Sequence, residues 1–266
     1  MLGAGVTALA LLSVPAVGVN SAGRAEAATP ATSPALDPGV APGGNFDLSR
    51  WELQLPTGSA GSPTTISPSR LAGANGFQDS YFFTNGSDGS MSFWDPENGV
   101  TTPNSKFSRT ELREMNTNGS AAAWSIPGTH TLTATVKVTQ VPDHVCVGQI
   151  HLGENSGSTK PLLELFYYAN GDITLAIEQT PAGGNEVPHT VGNVPLGTQW
   201  SYVIGLTGGN TIGLTLNGTR HTWALPSAFN GYTMYFKAGD YDQTSGSSSS
   251  VGAKVRFYAL TIHHGS

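Results

Sequence analysis

Ser108-Arg109-Thr110-Glu111-Leu112-Arg113 carries an ionisable side chain at every second position: Arg109, Glu111 and Arg113. A β-strand turns successive side chains to opposite faces. The three charges then share one face, and Thr110 and Leu112 share the other. A lone solvated strand would show the same pattern, but two distant segments repeat it. In Gln149-Ile150-His151 a polar pair flanks an apolar residue. In Tyr235-Phe236-Lys237-Ala238-Gly239-Asp240-Tyr241-Asp242-Gln243, the residues Tyr235, Lys237, Tyr241 and Gln243 share a parity that Phe236 and Ala238 oppose. One sheet, its back on a core and its front lining a groove, accounts for all three.

The rest of the chain agrees with an all-β domain. Of 266 residues, 34 are Gly and 17 are Pro, and only 11% are charged, which fits short strands and frequent turns better than helices. Trp51-Glu52-Leu53-Gln54-Leu55-Pro56 alternates, with Trp51, Leu53 and Leu55 on one face. Tyr81 to Thr84 and Met91 to Trp94 flank Asn85-Gly86 and Asp88-Gly89, a hairpin signature. Further strand-like runs cover 106–115, 129–141, 145–152, 162–169, 173–179, 200–206, 211–216, 234–238 and 254–263. One helical turn is expected at 69–73. No internal repeat is found. The expected fold is a jelly-roll β-sandwich of two antiparallel sheets with a concave groove.

Charge and cysteine usage narrow the function. The formal net charge is −6 and there is no basic stripe, which argues against a nucleic-acid partner. Any site for a polyanion must concentrate its cations, because exposed charges are screened beyond roughly 8–10 Å. Of the 12 Lys and Arg, three (Arg109, Arg113, Lys237) fall on the groove face. The single cysteine, Cys146, excludes an intramolecular disulfide. Its parity opposes Gln149, so it is expected on the core side as a small hydrophobe. The histidines show no metal-ligand spacing, and Asn85-Gly86-Ser87-Asp88-Gly89 reads as a turn rather than a calcium loop. No metal, cofactor or membrane contact is expected of the folded body, and a monomer is. The Ser-rich stretch from Asp242 to Gly252 reads as a loop at one rim of the groove.

Residues 1–27 read as a secretory signal. An apolar run from Val6 to Val19 precedes the small-x-small site Ala25-Glu26-Ala27, although no basic residues lead it. Residues 28–44, rich in Pro, Ala, Thr and Ser, read as a disordered linker. Residues 45–266 remain as the catalytic domain, in an extracellular protein.

The three groove segments, in this order, resemble the motifs of polysaccharide lyase family 7, the alginate lyases: Arg-x-Glu-Leu-Arg, Gln-Ile-His, and Tyr-Phe-Lys-Ala-Gly-x-Tyr-x-Gln. The resemblance extends from about Asn45 to the C-terminus and includes the Trp51-x-Leu53-x-Leu55-Pro56 start. It implies a β-jelly roll that cleaves alginate, an anionic 1,4-linked uronate polysaccharide, by β-elimination. By matching positions it implies Arg109, Gln149, His151 and Tyr241 as the catalytic set. Arg113, Lys237 and Gln243 would bind substrate with Tyr235, while Glu111 would orient the arginines. Ile150, between the Gln and the His, is the variant associated with guluronate-containing chains. Glu164 departs from the pattern, since relatives carry a lysine there. It must pair with a cation or shift the preference toward another polyuronate such as glucuronan.

The chemistry is consistent with that implication. The C5 proton of a uronate is very weakly acidic beside a carboxylate, so the carboxylate charge must be neutralised first. Arg109 offers a planar fork for that purpose, and Gln149 and His151 offer further donors. Tyr241 and His151 are the proton carriers, and cations near Tyr241 are expected to lower its pKa from about 10. Two other classes have their own signatures. A glycoside hydrolase needs two carboxylates flanking the bond, whereas Glu111 and Glu114 fall on opposite faces. A carbohydrate-binding module would not need Tyr241 and His151 together.

Overall fold

The computed structural model describes residues 35–266 and Met1. Apart from Met1, the expected signal segment 1–27 and linker residues 28–34 lie outside the described residues. The linker does not extend to residue 44. The Asp37 N–H donates to Asn45 Oδ1 at 2.8 Å and the Ala41 N–H to Ala74 O at 2.9 Å, while Ala41 and Pro42 are buried. Leu36 packs on the core. Local composition misjudged this arm because its few apolar side chains dock on a surface built by the rest of the chain.

The strands, in chain order, are β1 (Trp51–Ser59), β2 (Ser62–Ile66), β3 (Phe82–Thr84), β4 (Met91–Pro96), β5 (Thr110–Glu114), β6 (Trp124–Ser125), β7 (Thr129–Gln140) and β8 (His144–Leu152). They continue as β9 (Pro161–Tyr168), β10 (Asp172–Glu178), β11 (Glu186–Asn193), β12 (Trp200–Thr207), β13 (Thr211–Leu216), β14 (Thr219–Ala224), β15 (Thr233–Asp242) and β16 (Gly252–Gly265). One-turn helices fall at Pro42–Asn45 and Pro68–Leu71, the second close to the expected turn. Among the described residues the strands form two antiparallel sheets. One runs β11-β10-β9-β8-β15-β5-β1-β2, with β6 on β15; the other runs β14-β13-β12-β7-β16-β4-β3. This is the expected sandwich.

The alternation read from sequence builds the core. Leu53, Leu112, Ile150 and Phe236 face Phe93, Val136, Ile204 and Phe257 across the sheets, all essentially fully buried. Each such side chain contributes about 1.5–3 kcal/mol by leaving water. Strands β11 and β14 escaped the sequence reading. Both are edge strands with mostly exposed residues, so no apolar alternation marks them.

Two irregularities decide what faces the groove. The β8–β9 register shifts between Cys146 and Gly148, so Val147 and Gln149, although of equal parity, fall on opposite faces. Val147 joins the main core, and Cys146 packs with Phe166 and Ala176 beside Tyr168 and Tyr241. The cysteine is buried as expected, but on the groove layer rather than in the inter-sheet core. A second shift lies between Ala238 and Tyr241 in the β15–β8 pairing. Gly239 sits there at φ +152°, and a Cβ on it would stand 2.7 Å from Thr110 O, so only glycine fits.

Candidate active site

Register assembles the groove. Across neighbouring strands Glu164 pairs with Gln149, Gln149 with Lys237, Lys237 with Arg113, and Arg113 with Glu52. Beside this row, His151 pairs with Tyr235, and Glu111 lies between Gly239 and Gln54. These side chains line one cavity of about 850 Å³ together with Arg109 and Tyr241. Nine of the ten candidate residues therefore meet there. Gln243 does not: its amide folds back to donate to Tyr241 O at 3.0 Å. Nor does the Ser-rich loop line the groove. Its backbone is held instead by Glu97, through the N–H groups of Gly246 and Ser248.

Glu111 is the electrostatic centre of the floor. It is fully buried, forms an ion pair with Lys237, and accepts from Arg109 Nη1 at 3.1 Å and Gln149 Nε2 at 2.5 Å. Burial opposes its charge, but Lys237 and Arg109 outweigh that and hold the carboxyl below its usual range. Burial, reinforced by Arg109, brings Lys237 down to about 8. Arg109 keeps its Nε without a partner, a buried donor free for an incoming anion. Arg113 stacks on Tyr235, 4.2 Å from the ring centre, and pairs at 2.9 Å with exposed Glu154.

The two side chains expected to carry protons are in complementary states. His151 Nδ1 lies 3.1 Å from Leu152 O. A carbonyl only accepts, so Nδ1 carries the hydrogen and Nε2 keeps its lone pair. Burial, with Lys237 nearby, pulls the imidazole down to about 3, so it is neutral at ordinary pH. Tyr241 behaves opposite to expectation. Arg109 does sit 3.7 Å over its ring and lowers the phenol, but burial is the larger effect and leaves it above its usual value.

Sequence reasoning missed Ser105. Its Oγ donates to Phe107 O at 2.8 Å, so it accepts the Tyr241 O–H at 3.0 Å and Arg109 Nη2–H at 3.3 Å. It sits in a loop without periodicity, so no pattern could have marked it. Gln54 was legible as the polar face of β1; it lines the groove and its buried Nε2 has no partner. At the far end, Glu164 forms no ion pair among the described residues, although Arg109 is near enough to favour its charge. Burial first, then the neighbouring Glu186, push its carboxyl well above the usual range and favour the neutral form. A neutral carboxyl repels a uronate far less than the charged one considered from sequence. Glu178, also in the lining, is committed to the backbone N–H groups of Gln179, Thr180 and Asn185. No group of three His, Cys, Asp or Glu side chains among the described residues converges as a metal site.

A family model described as alginate lyase matches residues 46–264. An alginate lyase of Klebsiella pneumoniae is 27% identical over 285 residues, covering 85% of this chain and 92% of that protein. Among solved structures, a variant of the family 7 alginate lyase A1-II′ in complex with substrate (GGMG) superposes with a TM-score of 0.76. It is 33% identical, over 85% of this chain and 97% of that one. An alginate lyase from Pseudomonas aeruginosa gives 0.75 at 33% identity, over 82% and 99% of the two chains.

Proposed function

The chain belongs to polysaccharide lyase family 7, the alginate lyases, and from that premise we propose that it cleaves guluronate-containing or mixed uronate chains by β-elimination. The cut falls within the chain and leaves an unsaturated uronate at the new non-reducing end. The lining runs from Glu52 on β1 to Glu186 on β11, across most of the sheet, which supports a polymer lying along the groove rather than a single chain end.

In this reading the substrate carboxylate meets the Arg109 guanidinium through its unpartnered Nε–H and the Nη2 hydrogen not given to Ser105, with a further N–H from the Gln149 amide. Neutralising the carboxylate makes the C5 proton removable, because the developing enolate-like charge falls on donors already in place. His151 Nε2 takes that proton. Tyr241, still protonated, gives its proton to the leaving O4. The C5–H and C4–O4 bonds break, the C4–C5 double bond forms, and tyrosinate and imidazolium are reset by exchange with water.

The observation that carries the guluronate preference is this division of protonation states: a neutral imidazole with a free lone pair and a phenol that keeps its hydrogen. On guluronate the C5 proton and O4 lie on opposite sides of the ring and need two separate carriers. On mannuronate they lie on one side, and Tyr241 alone would serve as both. Ile150 supports the same choice. Glucuronan is the second reading, favoured by the Glu164–Glu186 pair at one end of the groove.

Polyguluronate, polymannuronate and glucuronan, each followed by ultraviolet absorbance of the unsaturated uronate, separate these readings. Polyguluronate should be the fastest, and Tyr241→Phe should abolish turnover while leaving polymer binding intact. New reducing ends without the absorbance would mean hydrolysis and overturn the proposal. We also place the enzyme outside the cell, on the strength of the Val6–Val19 run and the Ala25-Glu26-Ala27 site. An N-terminus at Ala28 on protein recovered from the medium is the expected result.

A further inference from the structure

The outer face of the other sheet holds a second concentration of cations. Lys137 on β7 and Arg256 on β16 are directly opposite in register, and both point outward because Val136, Val138, Val255 and Phe257 are buried behind them. Like charges directly opposite on one sheet face destabilise the pair, so folding does not account for them. Lys254, exposed, pairs across β16 and β4 with Trp94 and lies 4.7 Å from its ring centre; Lys137 lies 5.1 Å from the Tyr258 ring. A cavity of about 250 Å³ on this face has Phe83, Ser92, Trp94, Lys254 and Arg256 in its lining. Ser92 is 4% exposed, and its Oγ has no hydrogen-bond partner. Among the described residues the one carboxylate paired with any of the three cations is Asp88, which lies 3.7 Å from Arg256 and accepts from the Tyr258 hydroxyl at 2.9 Å.

We propose that this face is a second binding surface for the same anionic uronate polymer, on the side of the sandwich opposite the groove. Its components match that ligand. Carboxylates along the chain meet Lys137, Lys254 and Arg256, sugar faces lie on Trp94 and Tyr258, and a ring hydroxyl satisfies Ser92 Oγ. On a chain of net charge −6 the local excess of cations is what draws a polyanion to this face. The surface holds the polymer near the enzyme between cuts, so it acts on long chains and leaves short ones unaffected. The inference rests on the polyuronate reading of the groove.

The test is the triple variant Lys137→Ala, Lys254→Ala, Arg256→Ala. On oligouronates short enough to fill only the groove, kcat and KM should match the parent. On long alginate KM should rise about five-fold or more, the scale of three lost surface charge contacts, with kcat unchanged. Retardation in native gels containing alginate should weaken likewise, and should disappear when Arg109→Ala is added to disable the groove. Gels containing dextran should show no retardation of any form. Parent-like KM and retardation in the triple variant would overturn the proposal, as would equal retardation by duplex DNA. Lys254→Ala alone should show the same effects at reduced size and guards against misfolding of the triple. Retardation needs no turnover, so a parent that yields no unsaturated product sinks the groove reading and leaves this test standing.

Discussion

Replacing Glu111 with glutamine should damage stability and turnover together, because one carboxylate holds the floor of the groove. Glu111 is fully buried, and its partners Lys237 and Arg109 are only 6% and 8% exposed. The substitution keeps shape and removes the anion, leaving two cations in a dry site. Breaking a buried ion pair in this way costs about 3–5 kcal/mol. For a domain of this size that is a fall in melting temperature of roughly 6–20 °C. The loss should depend on pH. Lys237 already stands at about 8, and without Glu111 it sheds its proton more readily, so the deficit should shrink as pH rises from 7 to 9. Arg109 cannot lose its proton, so the deficit should not vanish. The single amide oxygen left at position 111 cannot serve Lys237, Arg109 and Gln149 together, so the Gln149 amide is less firmly held and kcat should drop about 100-fold or more, the scale of one misplaced donor. Melting followed by circular dichroism, with the unsaturated-uronate assay, reads both effects. Adding Lys237→Met should recover stability but not activity. If Glu111→Gln melts with the parent and turns over alginate at a comparable rate, the electrostatic account of the groove is wrong.

Other perturbations probe separate links. Ser105→Ala should lower kcat about ten-fold by loosening the Tyr241 hydroxyl. A parent-like kcat would remove serine from the mechanism. His151 is held near 3 in the fold and titrates near 6.5 when unfolded. The unfolded chain therefore binds the extra proton, and the stability present above pH ~6.5 is lost as pH falls toward 3, at about 1.4 kcal/mol per unit. Urea midpoints at pH 7 and 5 should differ less in His151→Asn than in the parent. Asp240 has the opposite sign. Neither of its buried carboxyl oxygens has a partner, and burial, then Asp95, push it well above the usual range. The stability it allows is present at low pH and lost as pH rises, so Asp240→Asn should raise the melting temperature at pH 8, and no gain there would show that the carboxyl has a partner.

The period-two pattern was enough to place Arg109, Glu111, Arg113, Gln149, His151, Tyr235 and Lys237 on one surface, because alternation follows from strand geometry and needs no knowledge of the neighbours. The same pattern put Leu112, Ile150 and Phe236 in the core. It misplaced Cys146, because a one-residue shift in pairing with β9 is a property of two strands, invisible in either alone. It gave no hint of Ser105, which reaches Tyr241 across 136 positions of sequence. Nor could it give the sign of the Tyr241 shift. Residue types showed a cation nearby, but burial, the larger effect, exists only once the sheet is folded. Local periodicity therefore determined which side chains could line a groove. Register, burial and loop placement, all set by contacts between distant segments, decided which of them carry a proton and which hold one another in position.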